Sequence, residues 1–220
     1  MSLRTEIGGM ATDRLRLIDD HMERKYVSTG RYTGTLTMIY RKGELSFCST
    51  LGVRDRERQA PVTRDTIFRI YSMTKPITSV ALMMLYEKGL FQLDDPVHEY
   101  IPAWQDLAVF VSGRPNSFVT EPVIRPMTIR DLLSHQSGLT YGFTNRTNVD
   151  AAYRTLGVGG HRQQTLKSMV ESLAEIPLEF SPGTRWNYSV ATDVVGYLVE
   201  LISGQRFDTY LAEHIFQPLK

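Results

Sequence analysis

The stretch that decides the fold covers residues 68–78 and reads Phe68-Arg69-Ile70-Tyr71-Ser72-Met73-Thr74-Lys75-Pro76-Ile77-Thr78. Proline lacks an N–H and is tolerated only in the first turn of a helix, where the amide donors have no partner within the helix. Pro76 therefore predicts a helix that begins at Tyr71 or Ser72, and Gly89 predicts its end. Because the residues between them are apolar almost all round, we expect a buried, central helix with a rigid first turn.

Ser72 and Lys75 form an S-x-x-K pair in that first turn. Side chains three residues apart share one face of a helix, and burial in an apolar surrounding lowers the pKa of a lysine. A neutral Lys75 could then take the proton of Ser72, while the helix N-terminus stabilises an oxyanion. The spacing alone also allows a purely structural pair, in which Ser72 caps the helix and Lys75 extends to solvent.

Hydrophobic periodicity predicts the other elements. An amphipathic helix is expected over residues 10–26, and a hairpin over 35–41 and 44–53 turns at Lys42-Gly43. Residues 94–125 are rich in proline, glycine and polar residues and are expected to be loops. Further helices are predicted over residues 129–134, with a Thr128 and Asp131 capping box, and over 150–155, 163–175 and 193–203.

The composition limits the classes of function. With 25 basic and 24 acidic residues among 220, the net charge of +1 gives no basic excess for nucleic acid, and 42% hydrophobic residues argue against disorder. The longest apolar stretches, 80–85 and 107–111, are far shorter than the ~20 residues of a membrane-spanning helix. A single cysteine, Cys48, and a start without the apolar core of a signal peptide predict a cytoplasmic protein with no membrane partner.

The sequence around these elements resembles the serine β-lactamase-like family. The resemblance rests on residues 68–78, on Gly89-Leu90-Phe91-Gln92-Leu93-Asp94-Asp95-Pro96-Val97, on Ser134-His135-Gln136-Ser137-Gly138-Leu139, on Ser181-Pro182-Gly183 and on Trp186-Asn187-Tyr188-Ser189. Within that family, the sequence resembles the class C β-lactamases and the family VIII carboxylesterases. The resemblance implies an α/β (α+β) fold, a β-lactamase/transpeptidase-like α/β/α sandwich with a helical subdomain. Its parts would be 1–95 (helix, hairpin and nucleophile helix), 96–185 (mostly helical and loop subdomain) and 186–220 (tyrosine motif and following helices).

The resemblance also implies roles for three residues: Ser72 as the acylated nucleophile, Lys75 as its base partner and Tyr188 as a proton shuttle. Tyr188 follows a Pro-Gly turn and precedes a helix, a place from which a side chain can project into a cleft. Considered without the family, a tyrosine is more often a packing residue.

Val190 departs from the family pattern, since β-lactamases and peptidases of the family carry asparagine there. Valine cannot hydrogen-bond a substrate amide, and an unpaired buried polar group costs about 1–3 kcal/mol. We therefore expect a carboxylesterase-like serine hydrolase that forms an acyl-enzyme on small esters. The alternatives are a β-lactamase or D-amino-acid peptidase that acts on amides with the same residues, and a non-catalytic penicillin-binding-like protein.

A second departure is the absence of a K-[ST]-G motif, which family members carry on C-terminal strands. We therefore expect a chain that lacks those strands. Either the C-terminal remainder of the same protein completes the sheet as a second-chain partner, or these residues alone are poorly folded and inactive.

Other candidate sites are weaker. The five histidines have no metal-ligand spacing, and no dinucleotide or phosphate motif is present, so no metal and no cofactor is expected. His135, between Ser134 and Ser137, is interpreted as structural, because adjacent helical residues do not face one another. Cys48 is expected to be a packed thiol, and three arginines are expected to face solvent: Arg114, Arg125 and Arg130.

Overall fold

The computed structural model describes residues 6–115, 117–160 and 164–220. The chain divides into two compact units, Met1–Arg69 and Ile70–Lys220. The three-part division inferred from the sequence stays a prediction.

The first unit consists of small antiparallel strands and one helix. Strands β1 (Glu6–Ile7) and β2 (Met10–Ala11) pair with each other, and helix α1 (Thr12–Met22) continues into a π-helical turn, Glu23–Val27. The hairpin of β3 (Gly34–Arg41) and β4 (Glu44–Asp55) is joined at its edge by β5 (Ala60–Pro61). The predicted helix and hairpin are both confirmed.

The prediction of a packed Cys48 thiol is wrong. Side chains of successive strand residues point to opposite faces, and on β4 the inner face carries Leu45, Phe47 and Leu51. Cys48 lies on the other face and is exposed.

The predicted nucleophile helix opens the second unit. A single 3₁₀ turn, Tyr71–Met73, leads into α2 (Thr74–Glu87), so the helical backbone begins where Pro76 indicated. The buried face of α2 carries Thr78, Ala81, Leu82 and Leu85. The expectation that α2 is buried on all sides is wrong, because Val80 is 52% exposed.

Residues 94–125 are not only loop. They contain an antiparallel hairpin of β6 (Ala108–Arg114) and β7 (Ser117–Pro122), in which the rings of Phe110 and Phe118 pack edge to face. The loop expectation is wrong here, since glycine and proline near the turn obscured the short alternating strands on either side.

Helix α6 (Ala191–Ser203) is central in the second unit and packs against α2, α3 (Ile129–Leu133), α5 (Leu166–Leu173) and α7 (Phe207–Leu211). Two further helices complete it, α4 (Asn148–Thr155) and α8 (Gln217–Leu219). The four helices predicted after residue 125 are confirmed with ends shifted by up to three residues, except that Gln163, the predicted start of α5, lies outside the described residues.

Two of the arginines expected to face solvent are exposed and also form ion pairs. Arg125 donates to both oxygens of the buried Asp131 carboxylate, at 2.6 and 2.8 Å, and Arg130 pairs with Asp94 at 2.7 Å. Asp131 also completes the predicted capping box with Thr128. The expectation that these side chains face solvent is therefore confirmed for Arg125 and Arg130, and their carboxylate partners are what the sequence did not indicate.

Asp150 is the most strongly held carboxylate of the second unit. Its buried side chain accepts hydrogen bonds from the Arg146 and Thr147 amides and the Thr144 hydroxyl, and it pairs with Arg154 at 2.7 Å. Burial alone would raise the pKa of Asp150, but these donors outweigh it and lower the pKa to about 2.

We expect Asp150→Ala to lower the free energy of unfolding by about 3 kcal/mol, the cost of breaking a buried, hydrogen-bonded ion pair. Thr147→Ala, which removes the helix cap and the hydrogen bond from the Thr147 hydroxyl to Glu179, is the graded control and should cost about 2 kcal/mol. Since the folded-state pKa is depressed, the Asp150 contribution is present above the unfolded pKa and is lost as the pH falls toward about 2. Urea unfolding at several pH values measures both effects, and equal stability of the two variants would contradict the assignment.

Candidate active site

The three residues singled out by the sequence lie together in the second unit. The Tyr188 hydroxyl is 2.6 Å from Ser72 Oγ, although 116 positions separate the two residues. Lys75 Nζ lies 4.8 Å from the centre of the Tyr188 ring. Ser72 precedes α2 and Tyr188 precedes α6, so packing of these two helices brings the hydroxyl groups into contact.

A second tyrosine, Tyr141, completes the surroundings of the lysine. Lys75 Nζ donates a hydrogen bond of 2.9 Å to the Tyr141 hydroxyl and lies 5.5 Å from the centre of its ring. The Tyr141 and Tyr188 rings are 5.4 Å apart. Lys75 therefore lies between two aromatic rings that both favour its cationic form.

The expected lowering of the lysine pKa is wrong. Burial alone would lower the pKa of Lys75, but hydrogen bonds with the Tyr141 and Tyr188 hydroxyls outweigh it and raise that pKa. The hydrogen bond with Ser72 lowers the pKa of Tyr188, and the nearby Lys75 ammonium lowers it further. The pair therefore favours an ammonium on Lys75 and eases the loss of the Tyr188 proton.

Backbone hydrogen bonds fix the segment that carries Tyr141 beside the segment that carries Tyr188. The Asn187 amide donates to the His135 carbonyl at 2.9 Å, and the Val190 amide donates to the Thr140 carbonyl at 3.2 Å. The Asn187 side chain adds a 2.9 Å bond to the Leu139 carbonyl.

His135 lies against Tyr188. Its ring centre is 4.9 Å from that of Tyr188, and Nδ1 is 3.5 Å from Ser189 Oγ. Burial and the Lys75 ammonium lower the pKa of His135, so the ring packs in its neutral form. In this position His135 supports the tyrosine and makes no pair with Ser134 or Ser137.

A cavity of about 750 Å³ opens next to Lys75. Its walls include Tyr141, Val190 and Asp193, and it extends away from the serine along α6. Burial raises the pKa of the Asp193 carboxyl group. This effect outweighs the electrostatic attraction of the Lys75 ammonium, which lowers that pKa. Val190, the position that departs from the family pattern, is buried and contributes an apolar surface.

Comparison with known proteins assigns the family. The Beta-lactamase family model matches residues 16–220. The chain belongs to the Beta-lactamase family. The α/β fold class expected from the sequence is confirmed, because a solved structure described as EstCE1, a hydrolase with promiscuous acyltransferase activity, aligns with TM-score 0.80 and 28% identity over 94% of this chain and 52% of its own.

Two of the curated relatives that the chain matches have names that state an activity. Esterase EstB of Burkholderia gladioli is 34% identical over 86% of this chain and 46% of its own length. Monacolin J acid methylbutanoyltransferase of Aspergillus terreus is 30% identical over 89% of this chain and 48% of its own. The chain spans about half the length of the curated relatives it matches.

Sequence reasoning missed two site residues, Tyr141 and Asp193. Tyr141 stands two positions after the Ser137-Gly138-Leu139 motif, and the turn at Gly138 was the available signal that the next residues leave the helix toward the site. Asp193 was placed at the start of α6 only as a helix residue. Its position three residues after the buried Val190 was the available signal for the wall of a cavity.

Metal and membrane features are not found in the described part of the chain. Among residues 6–115, 117–160 and 164–220, no group of three or more histidine, cysteine or acidic side chains is placed to hold a metal ion. The helices of the same residues are too short or too polar to span a bilayer.

The hydrogen bond from Lys75 to Tyr141 gives a direct test of this electrostatic arrangement. We expect Tyr141→Phe to lower the pKa of the Lys75 amine, because the hydroxyl that stabilises the ammonium is removed. Titration of the lysine Nζ resonance by heteronuclear NMR measures the change. Tyr86→Phe, a hydroxyl removed from the same helix, is the matched control and should leave the titration unaltered; an unchanged or higher Lys75 pKa in Tyr141→Phe would contradict the arrangement.

Proposed function

We propose that the protein is a serine hydrolase that forms an acyl-enzyme on small esters, with Ser72 as nucleophile and Lys75 and Tyr188 as its proton-transfer partners. The observation that carries this proposal is the 2.6 Å contact between the Tyr188 hydroxyl and Ser72 Oγ, next to a lysine held as an ammonium. A serine hydroxyl is a weak nucleophile until an adjacent base removes its proton. Of the two partners, Tyr188 is the base, because its lowered pKa makes the phenolate more accessible and the Lys75 ammonium has no free electron pair to accept a proton.

The reaction follows from these contacts. Tyr188 in its phenolate form accepts the proton of Ser72 as Oγ attacks the ester carbonyl, and the Lys75 ammonium stabilises the phenolate. Backbone N–H groups at the start of α2, that of Ser72 included, stabilise the tetrahedral oxyanion. Tyr188 then gives its proton to the leaving alcohol, and water hydrolyses the acyl-enzyme by the same steps in reverse.

This assignment of the base fixes the direction of the pH dependence. The kcat/KM for esters rises as the pH passes the pKa of Tyr188 in the free enzyme, and it falls when Lys75 loses its proton. In Lys75→Gln, the rising limb moves to higher pH, because the ammonium that lowers the Tyr188 pKa is gone.

Labelling and kinetics of the full-length protein test the three roles. We expect a fluorophosphonate to modify Ser72, and Ser72→Ala to abolish both labelling and turnover. Lys75→Ala and Tyr188→Phe should each lower kcat at least ~10²-fold, as is typical of general acid–base catalysis. The matched controls on α2 are Ser79→Ala and Tyr86→Phe, with normal activity expected; activity that survives in Ser72→Ala would refute the proposal.

Val190 supports a preference for esters over amides. Its buried apolar side chain lines the cavity where an amide-binding member of the family has asparagine. We expect a higher kcat/KM for a short-chain aryl ester than for a chromogenic cephalosporin. Val190→Asn should narrow this ratio by restoring a hydrogen-bonding group. A wild-type protein that prefers the cephalosporin would support the β-lactamase alternative instead.

Acyl transfer is a second candidate function, favoured by the named activities of the relatives, one a methylbutanoyltransferase and one a hydrolase with acyltransferase activity. Both reactions share the acyl-enzyme and differ in whether water or an alcohol attacks it. An added alcohol that is converted into ester product in competition with hydrolysis would favour transfer.

The C-terminal second-chain partner stays a prediction from the sequence. Intact mass spectrometry of active protein, combined with denaturing electrophoresis, tests it.

A further inference from the structure

The cavity beside Lys75 is deeper than the chemistry at Ser72 requires. Its volume of about 750 Å³ lies within the range of pockets that enclose a small organic ligand. Lys75 and Tyr141 line one part of the cavity, and its wall continues along α6 from Val190 to Gly196, beside which Leu166 of α5 and Phe207 of α7 lie. The far end is therefore formed by apolar side chains and one glycine.

Gly196 is not required by helix packing. It lies in the interior of α6, where glycine is less favourable than alanine. A Cβ at this position would lie 3.6 Å from Leu166 Cδ1 and 3.6 Å from Phe207 Cε1, which are ordinary contact distances. Alanine would therefore fit, and what the glycine provides is additional space at the end of the cavity.

The position of the cavity relative to Ser72 decides whether the cavity accepts the acyl group or the alcohol group of an ester. Ser72 itself does not line the cavity, but its neighbours Tyr71 and Thr74 do. Tyr188, which supplies the proton to the leaving alcohol, and the exposed Trp186 do not line it. The alcohol therefore leaves on the Tyr188 side. The acyl group points the other way, past Lys75 and Tyr141.

The length of the cavity wall indicates the size of the acyl group. The six residue steps from Val190, at the start of α6, to Gly196 rise about 9 Å. An extended carbon chain advances about 1.25 Å per atom, given C–C bonds of about 1.52 Å and tetrahedral angles. About seven carbons therefore reach Gly196 from the level of Val190.

We propose, on the basis of the proposed esterase function, that this cavity binds medium-chain acyl groups of about six to eight carbons and that Gly196 sets their maximum length. The charged groups of the cavity wall do not oppose this. The guanidinium of Arg154 is paired with Asp150 at 2.7 Å, and Asp193 faces the Lys75 ammonium near the entrance.

The test compares acyl chain lengths in the full-length protein. We expect wild type to have a higher kcat/KM for p-nitrophenyl octanoate than for p-nitrophenyl acetate. Gly196→Leu should lower the octanoate-to-acetate ratio at least ~10-fold, because even one methylene in an apolar pocket changes discrimination by about 10–200-fold. Leu201→Phe, which adds bulk at a position of α6 that is 41% exposed, is the matched control with an unchanged ratio expected.

Two further variants keep the test decisive if Gly196→Leu fails to fold. Gly196→Ala should lower the ratio less than leucine, and Leu166→Phe should narrow the cavity from the opposite wall and lower the ratio as well. Acetate turnover and fluorophosphonate labelling of Ser72 report the catalytic machinery independently of chain length.

Four outcomes would overturn the inference. One is an octanoate-to-acetate ratio unchanged in folded variants that still turn over acetate; this leaves the esterase proposal intact. A second is that the variants change how kcat/KM depends on the length of the alcohol in acetate esters. The esterase proposal also stands in that case. A preference for aminoacyl esters that disappears in Asp193→Asn would assign the cavity to a cationic acyl group. Loss of both acetate turnover and Ser72 labelling in wild type would refute the esterase proposal itself and, with it, this inference.

Discussion

The packing of α2 against α6 is the constraint on which the site depends. The buried faces of both helices consist of small and branched apolar side chains, such as Ala81 and Leu82 on α2 and Val194 and Leu198 on α6. Since Ser72 and Tyr188 each precede one of these helices, this apolar contact sets the distance between two hydroxyl groups far apart in sequence. Both helix N-termini then meet at the site, where their positive dipole ends favour an anion, whether phenolate or oxyanion.

The protonation states of Lys75 and Tyr188 follow from the groups that surround the lysine and not from how deeply the lysine is buried. Lys75 is only partly buried, and two tyrosine hydroxyls near its ammonium outweigh the desolvation. A rule based on helix burial alone therefore gave the wrong direction for its pKa. The same ammonium lowers the pKa of Tyr188, so the cost of ionising this tyrosine is reduced by a charge that is already in place.

The parts of this molecule that could be predicted are those encoded locally. Pro76 and Gly89 placed α2, and the Thr128 capping box placed α3, because caps and helix-breaking residues act within one turn of the chain. The position of Tyr188 as a reactive group came from a family resemblance, since spacing in sequence says nothing about contacts between residues more than a hundred positions apart. Tyr141 was missed for the same reason.

Two residues with left-handed backbone conformations flank the reactive groups: Tyr71, with φ of 44°, precedes Ser72, and His135, with φ of 57°, packs on Tyr188. A non-glycine residue in this region costs on the order of 1–3 kcal/mol and persists only where its surroundings hold it. The backbone of His135 is held by the hydrogen bond from the Asn187 amide to the His135 carbonyl. The same hydrogen bond aligns Tyr188, the next residue after Asn187. The strain at His135 and the orientation of Tyr188 therefore have one structural cause, and a change that relaxes the first also displaces the second.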